Sequence, residues 1–301
     1  MKIFQCVPNI SEGRDLDFII SIADNIKKIK DVNLLDYSSD VDHNRSVFTL
    51  LGQAEGLKEA IRVLYDSCLQ RIDMRKHTGA HPRIGAVDVV PFVPILETTM
   101  DEADLLCKSV ARHIAEKYDV PIYLYGHSAK DKDRSELPTL RKGGFEALQD
   151  KDLLSIDRAP DLGPNFVHPT LGASCFGARG PLVAFNVILR TNDVEIAKRI
   201  AAKVRNSSGG LRCVKALGIY LASQDKAQVS MNLTDTRMTS VYTAFEMVKM
   251  EALRYGVGIE KSELIGAISL ESICDSLSYY LQLPELKADR VIERGIVDLL
   301  K

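Results

Sequence analysis

The sequence predicts an α+β fold made of two β-α-β-β-α-β halves. Three observations carry this reading: strand-like apolar runs alternate with helical stripes, the same order of runs occurs twice, and a glycine- and proline-rich stretch lies between the two copies. A length of 301 residues accommodates two domains. The expected division is 1–180 and 181–301, each an antiparallel-rich sheet with helices on one face.

In the first half, "KIFQCV" is a strand, and "LDFIISIADNIKKI" places Leu16, Ile19, Ile20, Ala23 and Ile26 on one helical face. The runs "VNLLDY" and "RSVFTLLG" follow as strands, and Leu57, Ala60, Ile61, Leu64 and Cys68 mark a second helix. "AVDVVPFVPI" is a further strand, whose Pro91 and Pro94 push its end toward an edge. Thr99 and Glu102 form a capping-box signature for a helix carrying Ala103, Leu106, Cys107, Val110 and Ile114, and "VPIYLYG" closes this half as a strand. From Asp131 to Gly180 the periodicity dissolves, and so long an irregular stretch in a compact domain predicts a functional segment.

The second half repeats the order. "LVAFNVIL" is a strand, Val194, Ala197, Ile200, Ala201 and Val204 mark a helix, and "CVKALGIYLAS" and "AQVSMNLTD" are two strands around a polar turn. Val241, Ala244, Phe245, Val248 and Ala252 mark the second helix, and "SELIGAISL" the last strand. This is the split βαβ, or ferredoxin-like, order.

Composition narrows the function. Hydrophobic residues make up 46% of the chain, charged residues 27%, and the net charge is -2, a balance that fits a globular enzyme and excludes the basic footprint of a nucleic-acid binder. No run reaches the ~18 apolar residues of a membrane span, and the opening "MKIFQCVPNISEGRD" lacks a signal-peptide core, so a cytoplasmic location is expected. The six cysteines are scattered singly, which fits reduced core residues, with Cys175 in "GASCFGARG" the one expected in a turn.

"HTGAHPRIGAVD" carries the chemistry. His77 and His81 have the i, i+4 spacing of a zinc pair, but Gly79, Pro82 and Gly85 break the helix that would put both on one face, so no metal is expected. Two readings remain from the residues alone: a stiff loop that fixes one imidazole at a sheet edge for acid/base work, with Arg83 placed to receive an anion, or a solvated turn.

Collinear motifs favour the first reading. "CVPNISEG", "NRSVFTLLG", "IDMRKHTGAHPRIGAVDVVPF", "DVPIYLYG", "APDLGPNFVHPTLGASCFGAR", "LVAFNVIL" and "AQVSMNLTD" resemble, in order, those of the glutamate formimidoyltransferase family, whose domain also opens formimidoyltransferase-cyclodeaminase. The resemblance implies transfer of a formimino group from N-formimidoyl-L-glutamate to nitrogen 5 of tetrahydrofolate in histidine degradation, with tetrahydrofolate as co-substrate. It also implies two ferredoxin-like subdomains with a ligand tunnel between them, and a homodimer.

Carried over by position, the resemblance makes His81 the catalytic histidine. It assigns folate binding to Gly163, Pro164, Asn165, Phe166, Val167, His168, Pro169, Thr170, Leu171 and Gly172. Ser38 stands where the family carries an acidic residue after "LLD", with Asp36, Asp40 and Asp42 nearby, so the resemblance leaves the carboxylate partner of His81 open among them; the cationic amidine separately calls for a carboxylate, for which Asp40 or Asp42 is expected. Arg45 and Arg83 are the expected partners of the substrate carboxylates, because the planar guanidinium matches that group. Rival readings are an ATP-dependent 5-formyltetrahydrofolate cyclo-ligase, for which no P-loop sequence is present, and a non-catalytic folate-binding protein.

Overall fold

A computed structural model describes residues 1–79, 81–155 and 158–299, with the backbone alone at residue 298. The chain forms two compact units, Met1–Gly180 and Pro181–Lys301, each with its own hydrophobic core.

The first unit runs β1 (Ile3–Cys6), β2 (Asn9–Ile10), α1 (Leu16–Ile26), β3 (Val32–Asp40), β4 (Arg45–Gly52), α2 (Ala54–Arg71), β5 (Val87–Leu96), α3 (Met100–Tyr118), β6 (Ile122–Gly126), α4 (Leu137–Leu140) and β7 (Ser174–Ala178). β1 and β2 both pair antiparallel with β4 and β5, so they act as one strand interrupted at Val7 and Pro8. β3 lies beyond β4, which completes the antiparallel order of a split βαβ sheet; β7 and β6 extend it past β5 in parallel.

Helices α1, α2 and α3 bury one face of this sheet. The glycine-rich stretch works on the rest of the core: Leu140, Leu148 and Leu153 pack with Val89, Tyr123, Tyr125 and Cys175. The helix starts follow the sequence. Asp15 accepts the Phe18 N–H, and the predicted Thr99–Glu102 capping box closes with reciprocal bonds of 3.2 and 2.8 Å.

Several expectations are corrected. The buried stripe of α1 is Phe18, Ile19, Ile22, Ala23 and Ile26, whereas Leu16 and Ile20 lie on its flank, 58% and 44% exposed. β5 is an interior strand despite its prolines. The N–H and C=O of a strand residue point the same way, and the Pro91 carbonyl accepts from Val7 N–H at 3.2 Å. The missing Pro91 N–H therefore faces the interruption between β1 and β2, where a ladder bond is not lost. Cys175 is fully buried in β7, between β5 and β6, and burial pushes its thiol pKa up.

The second unit runs β8 (Val183–Leu189), α5 (Val194–Val204), β9 (Val214–Leu221), β10 (Lys226–Leu233), α6 (Val241–Leu253), β11 (Ile259–Ile265), α7 (Leu270–Leu281) and α8 (Ile292–Leu299). Its antiparallel sheet has the order β11-β8-β10-β9, the split βαβ arrangement that the repeat predicts. The last two helices had no counterpart in the sequence reading. No helix among the described residues is long and apolar enough to cross a membrane.

Candidate active site

The site grows from the hairpin between β3 and β4. Asp40 and Arg45 face each other across its base, and the loop between them turns on Asn44, whose φ of 48° lies in the left-handed region that asparagine tolerates. The Asp40 carboxylate accepts the His43 N–H at 2.8 Å and stands 3.4 Å from His43 Nδ1. The histidine loop presses onto this hairpin at Gly79, where a Cβ would lie 2.3 Å from the His43 carbonyl oxygen. Only glycine fits so close an approach.

His77 and His81 have different partners. His77 Nε2–H donates to the Asn44 carbonyl at 3.0 Å, and Arg83 Nε–H donates to His77 Nδ1 at 3.0 Å. Burial lowers the His77 pKa, and both ring nitrogens are used. His77 is therefore a brace between hairpin and loop. His81 meets Arg45: Nη1 lies 2.5 Å from His81 Nε2. The His81 and His43 rings are 5.9 Å apart between centroids.

A buried carboxylate organises the floor. Asp88, 1% exposed at the start of β5, accepts the Ile84 N–H at 2.8 Å and pairs with Arg141 at 2.6 Å. Arg141 follows α4 in the glycine-rich stretch, which thereby delivers a cation to the histidine loop. Burial first, then Arg45, Arg141 and His43, push the His81 pKa down to about 2. Burial and the neighbouring Arg141 lower Arg45 to about 10. Burial also lowers His43, against the pull of Asp40. His81 is thus a neutral imidazole at neutral pH, beside two guanidinium groups.

Four side-chain atoms here are buried without a hydrogen-bond partner among the described residues: His81 Nδ1, His43 Nε2, Arg141 Nε and Asp88 Oδ2, the last held only by its ion pair with Arg141. Their grouping leaves unused bonding capacity at this place.

The segment from Gly163 to Gly172 approaches this site at its far end. Gly85 bridges to Gly172, Ala86 N–H donates to the Leu171 carbonyl at 2.8 Å and Ala173 N–H to the Ile84 carbonyl at 2.9 Å. Gly172 has φ 72°, and a Cβ there would lie 2.3 Å from the Ile84 carbonyl oxygen. His168 Nδ1 accepts the Leu171 N–H at 3.0 Å, so this imidazole shapes the turn through Pro169 and Thr170. Val167 packs on the core, the Asn165 carbonyl accepts from Leu153 N–H, and Phe166 is 57% exposed, with Gly163 and Pro164 leading in.

Of the residues expected from the sequence, Arg45 and His81 meet directly, Asp40 stands across the hairpin from Arg45, and the end of the glycine-rich segment meets the chain after the histidines at Ile84, Gly85 and Ala86. Two placements differ. Arg83 is already engaged by Glu146 at 2.6 and 2.8 Å and by His77, so it serves as a tie within the loop. Asp40 stands beside His43, while His81 Nε2 faces the Arg45 cation. Asp88, Arg141 and His43 were given no role from sequence. A lone carboxylate inside the apolar run "AVDVVPF" was a usable signal for Asp88; "TLRKGG" holds none for Arg141.

Comparison with known proteins accords with this architecture. The family model described as formiminotransferase domain, N-terminal subdomain, matches residues 3–179, and that described as formiminotransferase domain matches residues 184–299. The chain is 46% identical to a glutamate formimidoyltransferase of Streptococcus pyogenes serotype M1, covering 94% of this chain and 95% of that one. It is 40% identical to a glutamate formimidoyltransferase of Thermoplasma acidophilum, covering 98% and 97%. A formimidoyltransferase-cyclodeaminase of Rattus norvegicus is 38% identical over 95% of this chain and 53% of its own length.

Proposed function

From a chain that belongs to the formiminotransferase family, we infer an enzyme that transfers the formimino group of N-formimidoyl-L-glutamate to nitrogen 5 of tetrahydrofolate. The products are 5-formimidoyltetrahydrofolate and glutamate, and the reaction belongs to histidine degradation. The observation that carries this reading is near-full-length collinearity with two proteins that bear one activity.

The reaction makes definite demands. The folate nitrogen attacks the amidinium carbon, forming a tetrahedral centre with three nitrogens; a proton must leave the attacking nitrogen and another must reach the departing one. His81 is the group we assign to this traffic, a role worth ~10²- to 10⁴-fold. Arg45 is assigned to a substrate carboxylate, and Asp40, through its place beside His43, to the polarity of the amidine site. Arg83 acts on this machinery through its tie to Glu146. Gly163 to Gly172 is the assigned folate-binding segment, and the unpartnered nitrogens of His43 and His81 suit a ligand rich in N–H and carbonyl groups. Holding both substrates in register supplies further acceleration.

The subdomain division at Gly180, a cytoplasmic location and a homodimer complete the proposal. A monomeric mass in sedimentation equilibrium would exclude the dimer, and recovery in a membrane or secreted fraction would exclude the location.

The central test follows glutamate release from N-formimidoyl-L-glutamate and tetrahydrofolate, with the unaltered protein and with His81→Asn. Release that falls at least ~10²-fold in the variant is expected. Equal rates in the two proteins would remove His81 from the chemistry. No release by the unaltered protein, with consumption of 5-formyltetrahydrofolate and ATP, would replace the assigned reaction.

A further inference from the structure

The contact between Arg45 and His81 blocks the role assigned to His81. A guanidinium has donors and no acceptor, so Nε2 must offer its lone pair to Arg45, and the single proton of the neutral ring then sits on Nδ1. In this arrangement neither ring nitrogen has a free lone pair. The protein as it stands carries a histidine that cannot take a proton until Arg45 leaves it.

The surroundings indicate what removes Arg45. Arg141 is paired with Asp88 and Asp40 with His43; both carboxylates pull on Arg45 from a distance, but among the described residues none lies within ion-pair reach of it. A neutral imidazole is a weak partner for a guanidinium; a carboxylate matches two of its N–H groups and adds charge. The donor substrate carries carboxylates on the fragment that leaves.

We propose that the site is armed by its own substrate: a carboxylate of the amidine donor engages Arg45, draws the guanidinium off His81 Nε2, and thereby frees the lone pair that receives the proton. The proposal rests on the reaction assigned above and adds to it a condition for turnover. Once Nε2 is free, the attacking nitrogen forms its bond to the amidinium carbon and the C=N π pair moves onto the imino nitrogen. The proton of the attacking nitrogen passes to Nε2. That proton then moves to the glutamate nitrogen as its bond to carbon breaks, the imino nitrogen returns its pair to carbon to re-form the C=N bond of the product amidine, and His81 ends neutral.

The charged and titratable groups around this event are Arg45 on β4, Arg141 after α4, His43 and Asp40 on the hairpin, and Asp88 on β5. Neutralising Arg45 removes one of the two cations that hold down proton binding at His81. Carboxylate binding and proton uptake are then linked, and each strengthens the other by the same factor. A second consequence concerns selectivity: a bare amidine without a carboxylate leaves Arg45 on the imidazole and reacts slowly, which protects folate from adventitious small amidines.

The test uses the full chain and N-formyl-L-glutamate, a carboxylate analogue that lacks the imino nitrogen. The His81 ring C2–H resonance is assigned by its loss in His81→Asn and followed against pH by NMR. Without the analogue it is expected to show no titration between roughly pH 5 and 8; with saturating analogue it titrates inside that window. The affinity for the analogue rises as pH falls through the bound-state pKa, by up to about tenfold per pH unit. Formamidine alone reacts slowly with tetrahydrofolate and is accelerated by added acetate, whereas Arg45→Gln shows no acetate effect.

An analogue that binds, seen from other shifted resonances, while His81 still fails to titrate would overturn the proposal. So would ordinary titration of His81 in the free protein, or acetate acceleration undiminished in Arg45→Gln. The assigned reaction fails separately, when the unaltered protein releases no glutamate from N-formimidoyl-L-glutamate.

Discussion

Asp88 sits where removing one charge has a large effect. Its carboxylate is 1% exposed, accepts the Ile84 N–H and holds Arg141. Asp88→Asn keeps the shape and leaves Arg141 without its counter-charge, which typically costs about 3–5 kcal/mol. The expected result in urea unfolding is a loss of that size, and Asp88→Asn with Arg141→Met should recover most of it. A single-variant loss below ~1 kcal/mol would mean that water, not Asp88, carries the arginine. At this scale the sequence was legible where chemistry is local: His81 stands out because Pro82 and Arg83 follow it. It was illegible where partners come from far along the chain. Arg141 reaches Asp88 across more than fifty residues, and no spacing rule encodes such a meeting. The same limit hid the partner of His81, where a carboxylate was expected and a guanidinium is found.

At the scale of elements, the glycine-rich stretch matters through one tie. Glu146, in a short 3-10 turn at Phe145–Ala147, bonds Arg83 twice and so fastens this stretch to the histidine loop. The hydrogen bonds from Arg83 lower the Glu146 pKa below its ordinary 4.5. A depressed acid contributes stability above its unfolded pKa and loses it as pH falls through the folded value. Glu146→Gln should therefore cost stability at pH 7 and flatten the decline below pH 4.5. Because the Glu146 side chain is 62% exposed, the loss should stay under ~1 kcal/mol. Urea midpoints at neutral and acid pH check this; an acid decline identical to that of the unaltered protein would remove the tie from the account. Element types were readable because apolar periods of 2 and 3.6 differ, and the capping box fixed the start of α3. The lapses have one cause each. β5 carries Pro91 because its neighbour is interrupted there, and β7 was hidden because glycine and small residues suffice between two strands.

For the whole molecule, the repeated order predicts two cores, and each unit has one, with α5 and α6 covering the sheet of the second. Nothing in the periodicity announced α7 and α8, which follow the repeat and bury few residues. Two cores imply that a cavity in one need not loosen the other. Ile200, fully buried on α5, tests this: Ile200→Ala should cost about 2–5 kcal/mol by removing buried methyl groups and leaving a cavity. If each unit unfolds on its own, native-state hydrogen exchange should quicken at the amides of β8, β9 and β10 while those of β4 and β5 keep their protection. Equal acceleration in both sheets would instead mean that the chain opens as one cooperative body. The first outcome has a bearing on the site, because the Arg45–His81 contact and the Asp88–Arg141 pair both lie within residues 1–180. A destabilised second unit would then leave the pH behaviour of the His81 resonance unchanged in the free protein, so the state of the imidazole could be read while the rest of the chain is varied.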